Sequence, residues 1–373
     1  MPRKSIVIAI SIVFALVVYV MRNPRSVPSG TTDHQEKAPA QSTAAPGQSF
    51  RVDVSVSATT NQRLLTLGQR LARRVDGVDA DEDRLTAPEI AIYLARNQTN
   101  ALSLVTAFQA TTDREFLRQA AAAFPDDPLV QAKVLMHNLY PEERQQWIDA
   151  LKKSSPENSL PNFLAARDMM DQANATGALA EITSAANKNF NDYTRESSIG
   201  LEEAYLEAGR TPAEAKALGS SEILLPELAP LKKLGAELAD LAEQYGNAGD
   251  AASRQALLEG VYQMGTQLRE SGKQGTLLNS LVGLALQNIT LQRWPEGVPA
   301  ELIQGSVADQ LAANRQYRQN VRANAQLFGQ WLPTAPDNEI VAYYDRIKAF
   351  SEENAMQWLR TRHPEFIPSP STR

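Results

Sequence analysis

The chain has 373 residues, 43% of them hydrophobic and 6% aromatic, with no cysteine and a formal net charge of -6. That acidic balance, without a Lys/Arg stripe interleaved with aromatics, excludes a nucleic-acid surface. The lack of cysteine excludes a disulfide framework, a zinc knuckle and a lipid-modified N-terminal cysteine, and the missing Val/Ile/Thr alternation argues against a sandwich or barrel.

Arg3 and Lys4 precede an uncharged apolar run, Ile6 to Val20, broken only by Ser11. About seventeen residues is the lower limit for a membrane-spanning helix. Val27-Pro28-Ser29 is the best small-residue cleavage site beside the run, and a poor one. The expectation is a retained anchor over residues 1–22, with Ile6 to Val20 in the membrane. The alternative is a signal peptide whose removal leaves a secreted or periplasmic body. The basic tail should stay in the cytoplasm, which puts the body outside it. Residues 23–60, rich in Pro, Ser, Thr, Ala and Gly, read as disordered linker, with one alternating piece at Phe50, Val52, Val54 and Val56.

A helical region is expected over residues 61–222. Leu64, Leu65, Leu67, Leu71 and Val75 mark its first amphipathic helix. Next, Asp79, Asp81 and Asp83 occupy positions one, three and five of a calcium-loop pattern. However, Arg84 stands where the sharp turn needs glycine, and Glu89 falls one place before the bidentate ligand. The reading is a solvated acidic turn before a helix that starts near Pro88, with no metal.

From Tyr93 to Ala185 one apolar spacing recurs three times, thirty-one residues apart. Ala101, Leu104 and Phe108 superpose on Ala132, Leu135 and Leu139, then on Phe163, Ala166 and Met170. Leu117 and Ala120 superpose on Ile148 and Leu151, then on Leu179 and Ile182. Each unit therefore predicts two helices with one buried face each. Phe124-Pro125-Asp126-Asp127-Pro128 and Ser155-Pro156-Glu157-Asn158-Ser159 separate the units with helix-stopping and capping residues. In the second unit Pro141, Glu142 and Glu143 suit a helix start, Lys152 and Lys153 suit its end, and Trp147, Ile148 and Leu151 should face inward. Hairpins too small to bury their own apolar faces must stack on one another.

A Pro-acid-Asn turn followed by two short Ala/Leu helices resembles the tetratricopeptide-like repeat proteins. The unit here is three residues shorter than theirs and lacks their Trp, Gly and Tyr pattern. The resemblance implies a concave helical surface that binds a partner protein or peptide, and no catalysis. The fold class expected is all-α, stacked helical hairpins of the α-solenoid, tetratricopeptide-like kind, behind a transmembrane helix and linker.

Past Ala185 the register fails where Asn187 to Glu196 inserts a polar segment. A fourth hairpin follows: Ile199, Leu201, Tyr205 and Leu206, a stop at Gly209, and a restart at Thr211-Pro212. Pro226 and Pro230 within Ile223 to Pro230 mark a boundary, giving a C-terminal helical region over residues 223–363 and a tail over 364–373. Leu231, Leu234, Leu238, Leu241 and Tyr245 form one stripe, and Leu257, Leu258, Val261, Met264 and Leu268 the next. Leu277, Leu278, Leu281, Leu284, Ile289 and Leu291 predict a helix central to this half. Two helices, Ile303 to Trp331 and Asn338 to Arg360, are expected last, divided by Pro333 and Pro336. Arg315, Arg318 and Arg322 share a face that reads as solvated or ion-paired. Pro364 to Arg373 reads as a frayed tail.

The chemical inventory is thin. His34, His137 and His363 are the three histidines, and no zinc-protease, nucleophile-elbow or dinucleotide fingerprint is present. Ser271-Gly272-Lys273-Gln274-Gly275-Thr276 reads as a turn between helices with Thr276 as N-cap, not as a phosphate loop. Glu202-Glu203 and Glu352-Glu353 are adjacent pairs, so their side chains diverge on a helix, whereas glycosidases need two carboxyls facing one cavity. No catalytic, cofactor-binding or metal-ligating residue and no cofactor is therefore assigned. The function expected is a membrane-anchored extracytoplasmic scaffold that binds a protein or peptide. The alternative is a helical-toroid enzyme acting on envelope glycans or peptidoglycan.

Overall fold

Helix caps written into the sequence set where several elements begin, in a computed structural model that describes residues 66–75, 83–295, 302–303 and 305–367. The expected anchor, the linker, Asp79 and Asp81, and residues 368–373 lie outside the described residues. Among the described residues every regular element is a helix, and the one bridge recorded joins Asn158 to Asn189. No helix among them is long and apolar enough to cross a membrane.

The first part of the chain runs α1 (Leu67–Val75), α2 (Ala87–Arg96), α3 (Ala101–Thr111), α4 (Arg114–Ala123), α5 (Pro128–Met136), α6 (Arg144–Ser154), α7 (Leu160–Asp171) and α8 (Ala175–Ala185). Asn100, Asp113, Asp127 and Asn174 each accept a hydrogen bond from a first-turn backbone N–H, which starts α3, α4, α5 and α8. Pro88, Pro128 and Pro161 sit in first turns, where the missing N–H costs nothing. Before α6, Pro141–Glu143 form a single 3₁₀ turn rather than the first turn of the α-helix itself. The expected stripes are in place: Leu117 and Ala120 of α4, Ile148 and Leu151 of α6, and Ile182 of α8 are buried. Trp147 is only half-buried and stacks on Tyr140.

The two helices of each pair differ in burial. The outer ones, α4, α6 and α8, bury one stripe. The inner ones are buried almost all round: every residue from Ser103 to Ala110, from Leu129 to Leu135, and from Leu160 to Arg167. The rest of the chain supplies that cover. Helix α9 (Thr194–Glu207) doubles back onto α2 and α3, approaching so closely at Gly200 that a Cβ would collide with the Thr106 hydroxyl. Helix α11 (Leu228–Asn247) lies on α7, where Arg167 pairs with Glu237 and with Asp171, and α12 (Ala251–Gln274) lies on α8. The concave face expected to be open is therefore filled by the chain itself.

Helix α13 (Leu277–Arg293) packs on α11 and α12, and α14 (Val307–Trp331) follows it. Helix α10 (Pro212–Ser221), started by a reciprocal Thr211–Glu214 cap, packs on α15 (Asp337–Ala349), and α16 (Glu352–Arg362) packs on α14 and α15. The ends meet where α1 lies on the 3₁₀ turn Leu332–Thr334, with Gly68 beneath the Leu332 carbonyl. One apolar core joins α3 to α8 with α11 to α13; the other joins α1, α2, α9 and α10 with α14 to α16 around Trp331, Phe328 and Tyr343. Both cores draw on residues from either side of residue 223.

Several expectations need correcting. The helix expected from Asn338 to Arg360 is two helices, because Phe350 leaves helical geometry and Ser351 caps a new start by accepting from the Asn354 N–H. Pro230 lies inside the first turn of α11 rather than ending a segment. Leu206, expected on a buried stripe, is 40% exposed. Pro364–Phe366 form a 3₁₀ turn held on α14 and α16 instead of fraying.

The polar insertion after α8 is pinned, not loose. The Asn158 side chain accepts from the Leu160 and Asn191 N–H groups at 3.0 Å and donates to the Asn191 carbonyl at 2.9 Å. Ser159 N donates to Asn189 O at 2.8 Å, and Phe190 stacks on Phe163. Asn158→Ala removes all three side-chain bonds and leaves the buried Leu160 N–H unpaired, so a loss of about 2–3 kcal/mol is expected. Faster amide exchange confined to residues 187–194 would show that the loop is what has been released.

Candidate functional site

Pinning that loop completes a cavity. Residues 186–198 form one wall, the end of α12 and start of α13 a second, and α15 with the first turn of α16 a third, enclosing about 650 Å³. That volume falls within the range of small-molecule and peptide-end sites.

Of the stretch 271–276 expected as a turn, Ser271 to Gln274 are the last turn of α12 and only Gly275 and Thr276 join it to α13. Thr276 stands at the N-cap but makes no cap with its side chain. Glu352 does so instead. Its Oε2 accepts from the Leu277 N–H at 2.8 Å, while its own N–H donates to the Gly275 carbonyl at 3.1 Å. The break at Phe350–Ser351 makes this possible by placing Glu352 at the head of a new helix. Glu352 is 4% exposed, its Oε1 has no hydrogen-bond partner, and burial pushes its carboxyl up to about 7 against the bond from Leu277. Its sequence neighbour Glu353 is only half-buried, so the two side chains diverge as adjacency requires.

This has a consequence for stability. An unfolded glutamate loses its proton near 4.5, and the folded one near 7. Between those values the folded state holds a proton that the unfolded state has released, so stability present below 4.5 is lost as pH rises to 7. Glu352→Gln keeps an acceptor for Leu277 and carries no such penalty. It should be about 2–3 kcal/mol more stable than the parent at pH 8 and no more stable at pH 4. Urea melts at the two pH values check this, and an equal gap at both would refute it.

On the loop wall, Asp192 is 4% exposed and fully engaged: it accepts from Asn279 Nδ2 at 2.8 Å and from the Thr194 N–H at 3.0 Å. Behind it lies Lys133, whose Nζ donates to the Asp192 carbonyl at 3.5 Å, and beyond that the buried Glu227. Burial drives Lys133 down. Burial and then the Asp192 charge drive Glu227 up, so Glu227 is the member of this cluster that keeps a proton.

The cations on the wall are mostly committed. Lys188 donates to Asn162 Oδ1 at 3.0 Å, and Lys348 pairs with Glu202. Arg195 is exposed to solvent. Among the cavity-lining residues, the buried oxygens without a partner belong to Glu196, Gln267, Asn279 and Glu352, with the hydroxyls of Thr194, Thr276 and Tyr343.

Other residues singled out from sequence lie elsewhere. Arg315, Arg318 and Arg322 are exposed on α14, as a solvated face requires. His137 is half-buried against Phe108, and desolvation, with Lys133 and Arg114 nearby, lowers its imidazole to about 4. His363 is held between Glu339 at 2.8 Å and Glu365 at 3.0 Å, away from the cavity wall. Among the described residues no group of His, Asp and Glu is placed to hold a metal. Asn279 and Gln267 were not singled out from the sequence, and Glu352 was weighed there only as half of an adjacent acidic pair. Ser351 followed by two glutamates was the available signal, an N-cap with acids in the first turn. Compared with known proteins, the chain matches no family model, no curated protein and no solved structure.

Proposed function

We propose that this chain is a membrane-anchored extracytoplasmic binding protein, built on tetratricopeptide-like stacked hairpins, that holds a segment of a partner protein or peptide without chemical change. The cavity carries this reading: it is large enough for one or two residues of a peptide, and its walls come from three separate parts of the chain. The inner faces of α3 and α7, where a repeat protein would grip its partner, are covered by α9 and α11, and α5 reaches the polar loop through Lys133. Binding therefore belongs to the cavity. A displayed peptide library screened against the detergent-solubilised full chain should enrich a defined short sequence. Ser220→Trp, which puts a large side chain into the cavity wall, should abolish that binding. Undiminished binding to the filled variant would contradict the assignment.

A second reading, cleavage of envelope glycans, draws on Glu352. A carboxyl that keeps its proton to about 7 in a cavity has the property of a general acid. The partner carboxylate such chemistry requires is the weak point, because Asp192 on the facing wall is saturated by Asn279 and Thr194. Release of soluble fragments from purified peptidoglycan, abolished by Glu352→Gln, would establish this reading in place of the first.

A further inference from the structure

The hydrogen-bonding sense of the cavity wall specifies what it binds. Gln267 uses Nε2 to donate to the carbonyls of Ala185 at 2.7 Å and Ala186 at 3.1 Å, so its Oε1 is left over. Asn279 uses Nδ2 to donate to the Asp192 carboxylate, so its Oδ1 is left over as well. Neither amide can be flipped, since flipping would set an oxygen against an oxygen. Glu352 spends Oε2 on Leu277 and leaves Oε1, and Glu196 leaves Oε2. All four of these groups can only accept when the carboxyls are ionised. The remaining partnerless wall atoms are the Thr194, Thr276 and Tyr343 hydroxyls, which can donate or accept.

The charges point the same way. Two wall cations, Lys188 and Lys348, are engaged with other protein groups. Arg195 is solvent-exposed, so water and salt screen it. Glu352 is buried with no ion pair recorded on it among the described residues, and shares the cavity lining with Tyr343, Tyr344 and Lys348 of α15, Glu270 of α12, and Asp192 and Glu196 of the loop wall. The ring of Tyr344, half-buried in the cavity lining, adds a surface suited to an alkyl stem and to a cation.

We propose that the cavity accepts an ammonium group on an alkyl stem, the end of a lysine-like side chain, with Glu352 as its counter-ion and the Gln267 and Asn279 oxygens as further acceptors. This deepens the peptide-binding reading and rests on it for the identity of the ligand as a peptide. An ammonium supplies the three donors the wall lacks. Its charge favours the ionised form of Glu352, so its entry expels a proton from that carboxyl and binding tightens as pH rises from 6 to 8.

The test is calorimetry on the detergent-solubilised full chain with matched peptides that carry lysine, norleucine or glutamate at one position, and with spermidine as a cation that is not a peptide. Lysine peptides should bind, lose at least about tenfold in affinity on replacement by norleucine, and lose a similar factor in Glu352→Gln. That variant is expected to be the more stable protein, so its loss of affinity is not a loss of folding. Peptides that bind equally whatever the charge would overturn the ammonium assignment and leave peptide binding standing. Spermidine that binds in a Glu352-dependent way, with no peptide binding, would keep the ammonium site and remove the peptide reading. Binding of neither would overturn both.

Discussion

Lys133→Met should destabilise the folded chain by about 3–5 kcal/mol at pH 8, the cost of leaving buried acids without their cation. Lys133 is 1% exposed on α5, with Glu227, Asp192 and Glu196 as the acids nearest to it. Methionine fills the space of the alkyl stem but returns no charge to Asp192. As pH falls below about 8 Glu227 completes its protonation, so its share of the deficit should shrink between pH 8 and pH 5. Denaturant melts of parent and variant at both values give the answer. A variant as stable as the parent at pH 8 would show that the lysine is not holding the loop's charge. Glu227→Gln is the matching control: burial keeps that carboxyl protonated, so the amide should cost no more than about 1 kcal/mol.

Gly283→Leu should cost more than about 3 kcal/mol, because α12 and α13 meet there backbone to backbone. A Cβ on Gly283 would stand 2.8 Å from the Arg269 backbone nitrogen, and one on Gly265 would stand 2.7 Å from the Gly283 carbonyl. One turn toward the α12–α13 junction, Gly272 lies just as tightly under Ser280. Backbone atoms cannot rotate aside, so the helices must separate. Separation would also shift Thr276 and Asn279 on the cavity wall, and the midpoint of urea unfolding should fall together with ligand affinity. A leucine variant with an unchanged midpoint would mean the two helices are free to slide.

The sequence makes the hairpins readable because each depends on neighbours three and four residues apart. Leu117 with Ala120, and Ile148 with Leu151, are buried where their spacing puts them. Thr211 with Glu214 starts α10, and Gly249, at φ 84, turns the chain between α11 and α12. What closes the molecule is not local. In α5 the run Leu129 to Leu135 is apolar except for Gln131 and Lys133, and a lysine in such a helix implies a buried partner without naming it. That partner, the loop at Asp192, lies beyond any periodic signal. The concave face looked open for the same reason: nothing in α3 shows that Gly200, far along the chain, will press against Thr106. The break at Phe350–Ser351 was hidden because apolar residues continue across it, from Tyr343 to Met356 and Leu359, at helical spacing. Neither glycine nor proline marks it, and the Ser-Glu-Glu signal that does also occurs inside ordinary helices. Glu352 owes its place in the cavity to that break.

The most direct measurement is amide hydrogen exchange on the full chain with and without the best peptide from the library. If the cavity is the binding site, protection should appear in residues 186–198, 263–279 and 343–352 together and should vanish in Ser220→Trp. Protection spread along the outer helices α4, α6 and α8, with those three segments unchanged, would contradict it.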